Sequence, residues 1–299
     1  MQKNNLVSVI IPTYGRAKYL SNAINSVLKQ TYKNIEIIVI DDNTESNHHF
    51  ETLSLIESYN DNRIKYIFEN QNQGGALARN KGIKIASGNY ITFLDDDDLY
   101  LENKIEEQLN HILKFDLDVS VCDMYFSENG KLVDKKNCYA NVNSITDFLL
   151  DGNSYTPMIM CTKKIIEQVN YFTDSPRYQD HILTLKFLKI TSKIKRLPKK
   201  LFIHNNHDGQ RITLSEKSEQ GYFIRKNQEL ELLNKLSEQD KKKYFFKTEL
   251  IEIKIERKNG LMKSLYRLLK LSLKTRNLKN IKLVIKTLFI IIFLPKRNI

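Results

Sequence analysis

The chain has 299 residues, of which 41% are hydrophobic and 27% are charged, so it is globular and neither largely disordered nor collagen-like. Its net charge of +12 is uneven, because residues 241–299 carry 17 Lys and Arg against 3 acidic residues, whereas residues 1–240 carry 30 against 32. A uniformly basic nucleic-acid binder would not show this division, and we expect no nucleic-acid partner.

Strands and helices alternate in the first part of the sequence. Apolar runs rich in β-branched residues predict strands over 6–11, 35–40, 64–68 and 90–94. Apolar residues at helical spacing predict helices over 17–28, 50–59, 76–86 and 105–115. This order predicts an α/β fold with a mostly parallel central sheet flanked by helices.

The pattern is looser in the second part of the sequence. We expect a strand over 119–126 with a turn near Asn129 and Gly130, then further elements as follows: a short strand over 158–161, a helix over 182–190, an extended segment over 195–203, and helices from 215 onward. The sequence therefore predicts an α/β part followed by a helical, basic C-terminal region.

The start of the sequence and its cysteines indicate a reducing compartment. The first residues, MQKNNLVSVIIP, are more typical of a strand than of a signal peptide. The three cysteines form no Cys-x-x-Cys pair, which argues against a disulfide framework or a cysteine zinc site. No run reaches the ~20 apolar residues that a membrane-spanning helix needs.

Polar residues follow three of the predicted strands. Pro12-Thr13-Tyr14 follows the first strand, Asp41-Asp42 the second and Asp95 to Asp98 the fourth. Ligands of open α/β sheets bind outside the carboxyl ends of the strands. We therefore expect these three clusters to meet at one edge of the sheet and to form the functional site.

The four consecutive aspartates, Asp95 to Asp98, are the sharpest signal. Adjacent carboxylates repel unless a cation compensates their charge, and carboxylate oxygens suit Mg²⁺ or Mn²⁺, which would in turn hold a diphosphate. The alternative is that the run caps a helix beginning near Leu99, and we expect Asp98 to be that N-cap.

Four further features are weaker when each is taken alone. Asp41 and Asp42 could bind a ribose hydroxyl or a base, or could be turn residues. Arg79 could hold a phosphate or lie on the surface. Asp180 could be a general base or a charge at a helix N-terminus. His204 could bind a metal or a phosphate, or be a solvated loop residue.

Two segments together resemble the family 2 glycosyltransferases, which are inverting enzymes of the GT-A fold. The first is VSVIIPTYGRAKYLSNAINSVLKQTYKNIEIIVIDDNTES, and the second is NQGGALARNKGIKIASGNYITFLDDDD, which ends in the family's Asp-x-Asp motif. The close resemblance covers residues 6–105. A weaker one covers QDHILTLKFL, where Gln179 replaces the usual Glu, and Asn43 stands where the family often has Gly.

The resemblance implies a role for each matching residue. Asp180 would be the catalytic base. Asp97 would bind Mn²⁺ or Mg²⁺, with Asp95 and His204 as further candidate ligands. Contacts to the nucleotide sugar would come from a larger set: Pro12, Thr13, Tyr14, Arg16, Asp41, Asp42, Asn72, Arg79, Asp95 and Asp96.

The resemblance also implies the organisation and the activity of the protein. A GT-A catalytic domain would span residues 1–214, with a nucleotide-binding half over 1–105 and an acceptor-binding half over 106–214, followed by a helical region over 215–299. The enzyme would be a hexosyltransferase that moves a sugar from a nucleotide, UDP in our prediction, to a hydroxyl of a glycan or polyprenyl-diphosphate-linked acceptor during synthesis of a bacterial surface polysaccharide such as capsule or lipopolysaccharide.

Two other functions remain open from the sequence. A sugar-nucleotide nucleotidyltransferase would also use an α/β sheet and Mg²⁺, but it needs a Gly-rich loop with Arg and Lys after the first strand, where this chain has Pro12-Thr13-Tyr14-Gly15-Arg16. The basic tail would also suit a non-catalytic protein that binds a membrane surface.

The apolar run over 283–294 could attach the protein to a membrane. As a helix it is about 18 Å long, too short for a bilayer core of ~30 Å. Together with the basic charge of the tail it predicts an interfacial helix on anionic lipid, and hence a cytoplasmic protein on the inner face of the plasma membrane. The alternative is a helical subdomain whose apolar side packs on the catalytic domain or on a second copy in a homodimer.

Overall fold

Nine strands, most of them apolar and β-branched, form one sheet in the N-terminal part of the chain. The computed structural model describes residues 5–206, 216–257, 260–273 and 277–293. The strands in this described part are β1 Val7–Thr13, β2 Ile35–Asp41, β3 Ile64–Phe68, β4 Tyr90–Phe93, β5 Leu99–Tyr100, β6 Val119–Glu128, β7 Lys131–Val133, β8 Ile159–Thr162 and β9 Ile194–Asn206.

Helices follow most of these strands. In the first part they are α1 Ala17–Leu28, α2 Asn47–Glu57, α3 Gly75–Ile85, α4 Lys104–Phe115, α5 Ile145–Asp151, α6 Lys163–Gln168 and α7 Gln179–Ile190. In the last part they are α8 Glu216–Leu230, α9 Glu238–Glu256, α10 Leu261–Leu273 and α11 Leu278–Phe293. The chain divides into two compact units, Met1–Gly209 and Gln210–Ile299, whereas the domain boundary predicted between 214 and 215 lies outside the described residues.

The strands are ordered β3-β2-β1-β4-β8-β6-β9-β5, and β7 pairs with β6. Strands β3, β2, β1 and β4 pair in parallel, as does β9 with β6. Strand β8 lies antiparallel between β4 and β6, and β5 is antiparallel to β9. The predicted α/β fold with a mostly parallel sheet is therefore confirmed, and the second half of the N-terminal unit extends the same sheet.

Strands β1 and β2 form the centre of the hydrophobic core. All seven residues of β2 are buried, which explains why its sequence is apolar with little alternation. Helices α1 and α3 pack on β1. Helix α3 approaches closely at Gly82, where an added Cβ would lie 2.5 Å from Ile10 Cγ2. This close packing fixes the position of α3, and therefore of its polar residues, relative to the edge of the sheet.

The predicted helix beginning near Leu99, with Asp98 as its N-cap, is wrong. Leu99 and Tyr100 form β5, which pairs with Ile203 and Phe202 of β9, and α4 begins only at Lys104. A pairing partner about a hundred residues away outweighed the local preference of aspartate for a helix start.

Lys104 is fully buried at the start of α4. Its Nζ donates to Thr92 Oγ1 and lies 4.0 Å from the centre of the Tyr100 ring. Burial lowers the pKa of Lys104 to about 7, because a charged ammonium loses its hydration inside the protein. The free ammonium has a pKa near 10.5, so the unfolded chain binds this proton more tightly than the folded one.

Replacing Lys104 with Met is expected to stabilise the N-terminal unit. Below pH 7, Lys104 is protonated in both the folded and the unfolded protein, so the full cost of burying its charge is present. We therefore expect the Met variant to have a free energy of unfolding that is higher by roughly 3 kcal/mol, after loss of the hydrogen bond to Thr92. Between pH 7 and pH 10, Lys104 is deprotonated in the folded wild type but still protonated in the unfolded chain, so the stability of the wild type rises with pH. The advantage of the Met variant therefore shrinks by about 1.4 kcal/mol per pH unit. Urea unfolding at pH 6 and pH 9 measures both values, and an equal gain at the two pH values would contradict this account.

The C-terminal unit is helical and has its own small core. Leu250 and Ile253 of α9, Leu268 of α10, and Val284 and Ile291 of α11 pack together. Other apolar residues of α10 and α11, including Leu269, Ile285 and Phe289, remain exposed. The last residue of the predicted apolar run, Leu294, lies outside the described residues.

None of the helices in the described part of the chain is long and apolar enough to cross a bilayer.

Candidate active site

The ends of β1, β2 and β4 meet at one edge of the sheet, as the sequence predicted. The Thr13 hydroxyl donates to Asp96 Oδ2 at 2.8 Å, and the Asp42 N–H donates to the Thr13 carbonyl at 3.0 Å. Pro12 is half-buried beside them, and the Tyr14 side chain extends outward, 56% exposed. The three polar clusters therefore share one surface at the carboxyl ends of parallel strands, where α/β sheets bind ligands.

Cationic side chains neutralise the acidic run. Arg16 Nη1 lies 2.6 Å from Asp97 Oδ2 and 3.3 Å from Asp96 Oδ1, and Arg79 Nη2 lies 2.5 Å from Asp95 Oδ1. Burial raises the pKa of Asp96 to about 6, since the nearby Arg16 only partly offsets the lost hydration. The two arginines thus compensate the acidic run only in part, because the charges of Asp97 and Asp95 still raise the pKa of Asp96.

The fourth carboxylate, Asp98, is fully buried and pairs with His204. His204 Nδ1 lies 3.0 Å from Asp98 Oδ2, and the Asn205 N–H donates to Asp98 Oδ1 at 2.9 Å. Burial alone would lower the pKa of His204, but the Asp98 carboxylate raises it. We therefore assign a buried ion pair that ties the acidic run to β9.

The predicted metal ligands do not assemble into one site. Asp95 contacts Arg79, Asp97 contacts Arg16, and His204 contacts Asp98 rather than Asp97. Across the described residues, no group of three or more His, Cys, Asp or Glu side chains is placed to hold a metal ion. Mg²⁺ is commonly held by only one or two carboxylates together with substrate phosphates, and the requirement for Mn²⁺ or Mg²⁺ stays a prediction.

Arg79 links the acidic run to helix α7. Its guanidinium is buried between Asp95 and Gln179, with Nη1 2.9 Å from Gln179 Oε1. Gly75 makes room for it, because an added Cβ there would lie 2.9 Å from Arg79 Nη1. The Nε atom of Arg79 is buried and has no hydrogen-bond partner. The sequence identified Arg79, but its partner Gln179 was noted only as a departure from the family pattern.

Asp180 lies in the first turn of α7, next to Gln179. Tyr178 precedes the helix with φ of +63°, a left-handed conformation that is uncommon for a bulky residue and is often found at functional sites. Burial raises the pKa of Asp180, and the charges of Arg79 and Asp95 also act on it. Its Oδ1 accepts from the His181 N–H at 2.7 Å. The candidate base and the acidic run therefore belong to one site.

The two aspartates after β2 have different surroundings. Asp41 is fully buried, and its carboxylate accepts from Asn43 and Tyr66 and contacts His49 Nδ1 at 3.0 Å. These contacts hold the Asp41 carboxylate at the end of β2, and its predicted contact with the nucleotide stays a prediction. His49 and Tyr66 carried no signal in the sequence.

Asp42 holds the loop that leads into α3. Its two oxygens accept from the N–H groups of Gln73 and Gly74, at 2.9 and 2.8 Å, and burial raises its pKa. Exposed Asn72 supports the same loop by accepting from the Gly74 N–H at 3.1 Å. Asn43 joins the first two strand ends, since its Oδ1 accepts from the Gly15 N–H at 2.8 Å. The predicted nucleotide-binding residues thus lie at or beside this edge.

Comparison with known protein families identifies the architecture. The family model described as glycosyl transferase family 2 matches residues 8–173. The crystal structure of Staphylococcus aureus TarS 1-349 in complex with UDP-GlcNAc superposes with a TM-score of 0.65 over 95% of this chain and 80% of that chain, at 22% sequence identity. This likeness confirms the GT-A fold predicted from the sequence.

Several curated proteins are similar to this chain in sequence. An uncharacterized glycosyltransferase of Rickettsia typhi is 34% identical over 200 residues, which is 62% of this chain and 60% of that protein. The Escherichia coli protein WfgD, named as a UDP-Glc:alpha-D-GlcNAc-diphosphoundecaprenol beta-1,3-glucosyltransferase, is 39% identical over 130 residues, which is 44% of this chain and 50% of WfgD. The chain thus spans about half to three-fifths of the length of these two relatives.

Proposed function

The chain belongs to glycosyl transferase family 2, and on that basis we propose that it is an inverting glycosyltransferase. It moves a sugar from a nucleotide donor, which we propose to be a UDP-sugar, to a hydroxyl group of a glycan or of an acceptor carried on a polyprenyl diphosphate. The product is part of a bacterial surface polysaccharide.

The Arg79 bridge is the observation that carries this proposal. One guanidinium contacts Asp95 of the acidic run and Gln179, the residue before Asp180. A donor bound at the sheet edge and an acceptor bound near α7 would therefore meet within one site. The names of the relatives support the choice of substrates, because WfgD is named for a UDP-sugar donor and a diphosphoundecaprenol acceptor.

The reaction follows from the chemistry of these side chains. Asp180 removes the proton of an acceptor hydroxyl, and that oxygen attacks the anomeric carbon of the donor sugar. The bond from the anomeric carbon to the diphosphate oxygen breaks on the opposite face, UDP leaves with the electron pair, and the configuration inverts. Burial raises the pKa of Asp180, which makes its carboxylate a stronger base than an exposed aspartate.

We assign to Arg79 the stabilisation of the leaving diphosphate. A buried guanidinium at the edge where nucleotides bind offers fixed N–H groups to phosphate oxygens as their negative charge grows. Thr13, Asp42 and the loop that Asp42 holds form the adjacent wall, where we place the nucleoside. Arg16 is half exposed beside Asp97, which puts a second cation next to the same edge.

A screen for product release tests this function. The full chain is incubated with individual UDP-sugars and polyprenyl-diphosphate-linked acceptors, and both UDP and pyrophosphate are measured. We expect one donor to release UDP only when an acceptor is present, with the sugar linked in the inverted configuration. Release of pyrophosphate would instead indicate a nucleotidyltransferase. Repeating the active reaction after chelation, with and without added Mn²⁺, measures the predicted metal requirement.

A further inference from the structure

Helix α10 exposes an apolar stripe that faces away from its buried side. Met262, Tyr266, Leu269 and Leu273, here called the α10 stripe, are spaced at i, i+4, i+7 and i+11 and are each 59 to 80% exposed. Ser264 and Leu268, on the other side of the same helix, are buried in the C-terminal unit. Single exposed apolar residues are ordinary, but a continuous stripe along a helix marks an interaction surface.

A basic cavity opens beside the α10 stripe. It has a volume of about 910 Å³ and is lined by residues of α9, α10 and the start of α11, including Lys242, Phe245, Tyr266 and Lys270. Tyr266 belongs to both the cavity wall and the α10 stripe. Among the described residues, neither Lys242 nor Lys270 lies within ion-pair distance of a carboxylate, whereas Arg267 in the same wall contacts Glu249.

We propose that the α10 stripe and this basic cavity form a docking surface for an anionic lipid bilayer. The stripe enters the boundary between headgroups and acyl chains, and the ammonium groups of Lys242 and Lys270 contact headgroup phosphates that enter the cavity. Apolar side chains bordered by lysines give this combination of burial and charge attraction at a membrane surface. The inference concerns attachment and does not depend on the proposed transfer reaction.

Charge favours a bilayer over a second copy of the chain as the occupant. Residues 241–299 carry 17 basic against 3 acidic residues, so two such surfaces brought together would repel each other. An anionic leaflet attracts the same surface through each Lys or Arg that lies close to it. The apolar stripe and the ammonium groups of Lys242 and Lys270 then point to the same partner.

Vesicle flotation of the full chain tests the proposal. Wild-type protein is expected to float with phosphatidylcholine vesicles that contain phosphatidylglycerol and to stay behind with phosphatidylcholine alone. Met262→Glu with Leu269→Glu, and separately Lys242→Glu with Lys270→Glu, should each lower binding about tenfold or more. Because all four side chains lie on the surface, the thermal unfolding of both variants should match the wild type.

A matched pair outside the C-terminal unit tests whether this surface is specific. Leu113→Glu with Leu132→Glu changes two exposed apolar residues, on α4 and β7, and should leave binding within about twofold. The proposal is overturned if the wild type binds no anionic vesicles or if either α10 or lysine variant floats as well as the wild type. It is also overturned if the α10 variant abolishes a dimer, measured by light scattering, without changing flotation.

Discussion

Replacing Asp180 with Asn is expected to lower the rate of sugar transfer by about 10²–10⁴-fold, the usual contribution of a general base. The amide keeps the shape of the side chain and can still accept the hydrogen bond from the His181 N–H, but it cannot take a proton from the acceptor. We therefore expect the turnover number to fall, while stabilisation of the protein by UDP, measured as a thermal shift, stays unchanged.

The pH dependence of transfer provides a second readout for Asp180. Burial raises the pKa of its carboxyl group, and only the ionised form acts as a base. Activity should therefore fall as the pH decreases through a value above the ordinary range for aspartate. Asp174→Asn changes an exposed aspartate that precedes the same helix and should behave as the wild type. A wild-type rate in Asp180→Asn would exclude this residue as the base.

Arg79→Met is expected to reduce kcat/KM for the donor by about 10²–10³-fold, the range observed when one preorganised donor is removed from a charge-stabilising site. The methionine fills a similar volume but offers no N–H group to a phosphate, and it releases both Asp95 and Gln179. Because the Asp95 side chain is 30% exposed, water can solvate the freed carboxylate, so the loss of stability should be small compared with the loss of activity.

Two variants control for Arg79. Gln179→Glu keeps an acceptor for the guanidinium and is expected to retain activity within about tenfold. Arg63→Met removes an arginine that pairs with Asp61 at the start of β3, at the opposite end of that strand from the site, and should leave kcat/KM unchanged. If Arg79→Met and Arg63→Met lowered kcat/KM equally, Arg79 would have no special part in transfer.

The central strands could be predicted because the information is local. The apolar runs of β1 and β2 and the boundaries of α1 and β3 follow from patterns within a few residues. Strand β5 could not be predicted in this way, since two residues show no periodicity and its partners, Phe202 and Ile203, are about a hundred positions away.

The site was predicted in outline, but its internal contacts were not. The sequence alone gives no reason to distinguish Asp41 from Asp42. Successive side chains of a strand point to opposite faces, so only one of the two carboxylates can face the loop that leads into α3. The neutralisation of the acidic run also depends on distant residues, because Arg16 precedes it by about 80 positions and His204 follows by 106. The sequence correctly indicated charge repulsion within the run, but the cationic side chains that compensate it are brought close only by the tertiary structure.

The link from Arg79 to Gln179 has a consequence for the construction of chimaeric enzymes. Exchanging the segment around α7 with that of a relative, in order to change which hydroxyl is glycosylated, would also exchange the residue that holds the guanidinium of Arg79. A replacement segment with an aliphatic residue at position 179 would disturb binding of the donor, even if the new acceptor bound well. Successful exchanges should therefore preserve a hydrogen-bond acceptor at that position.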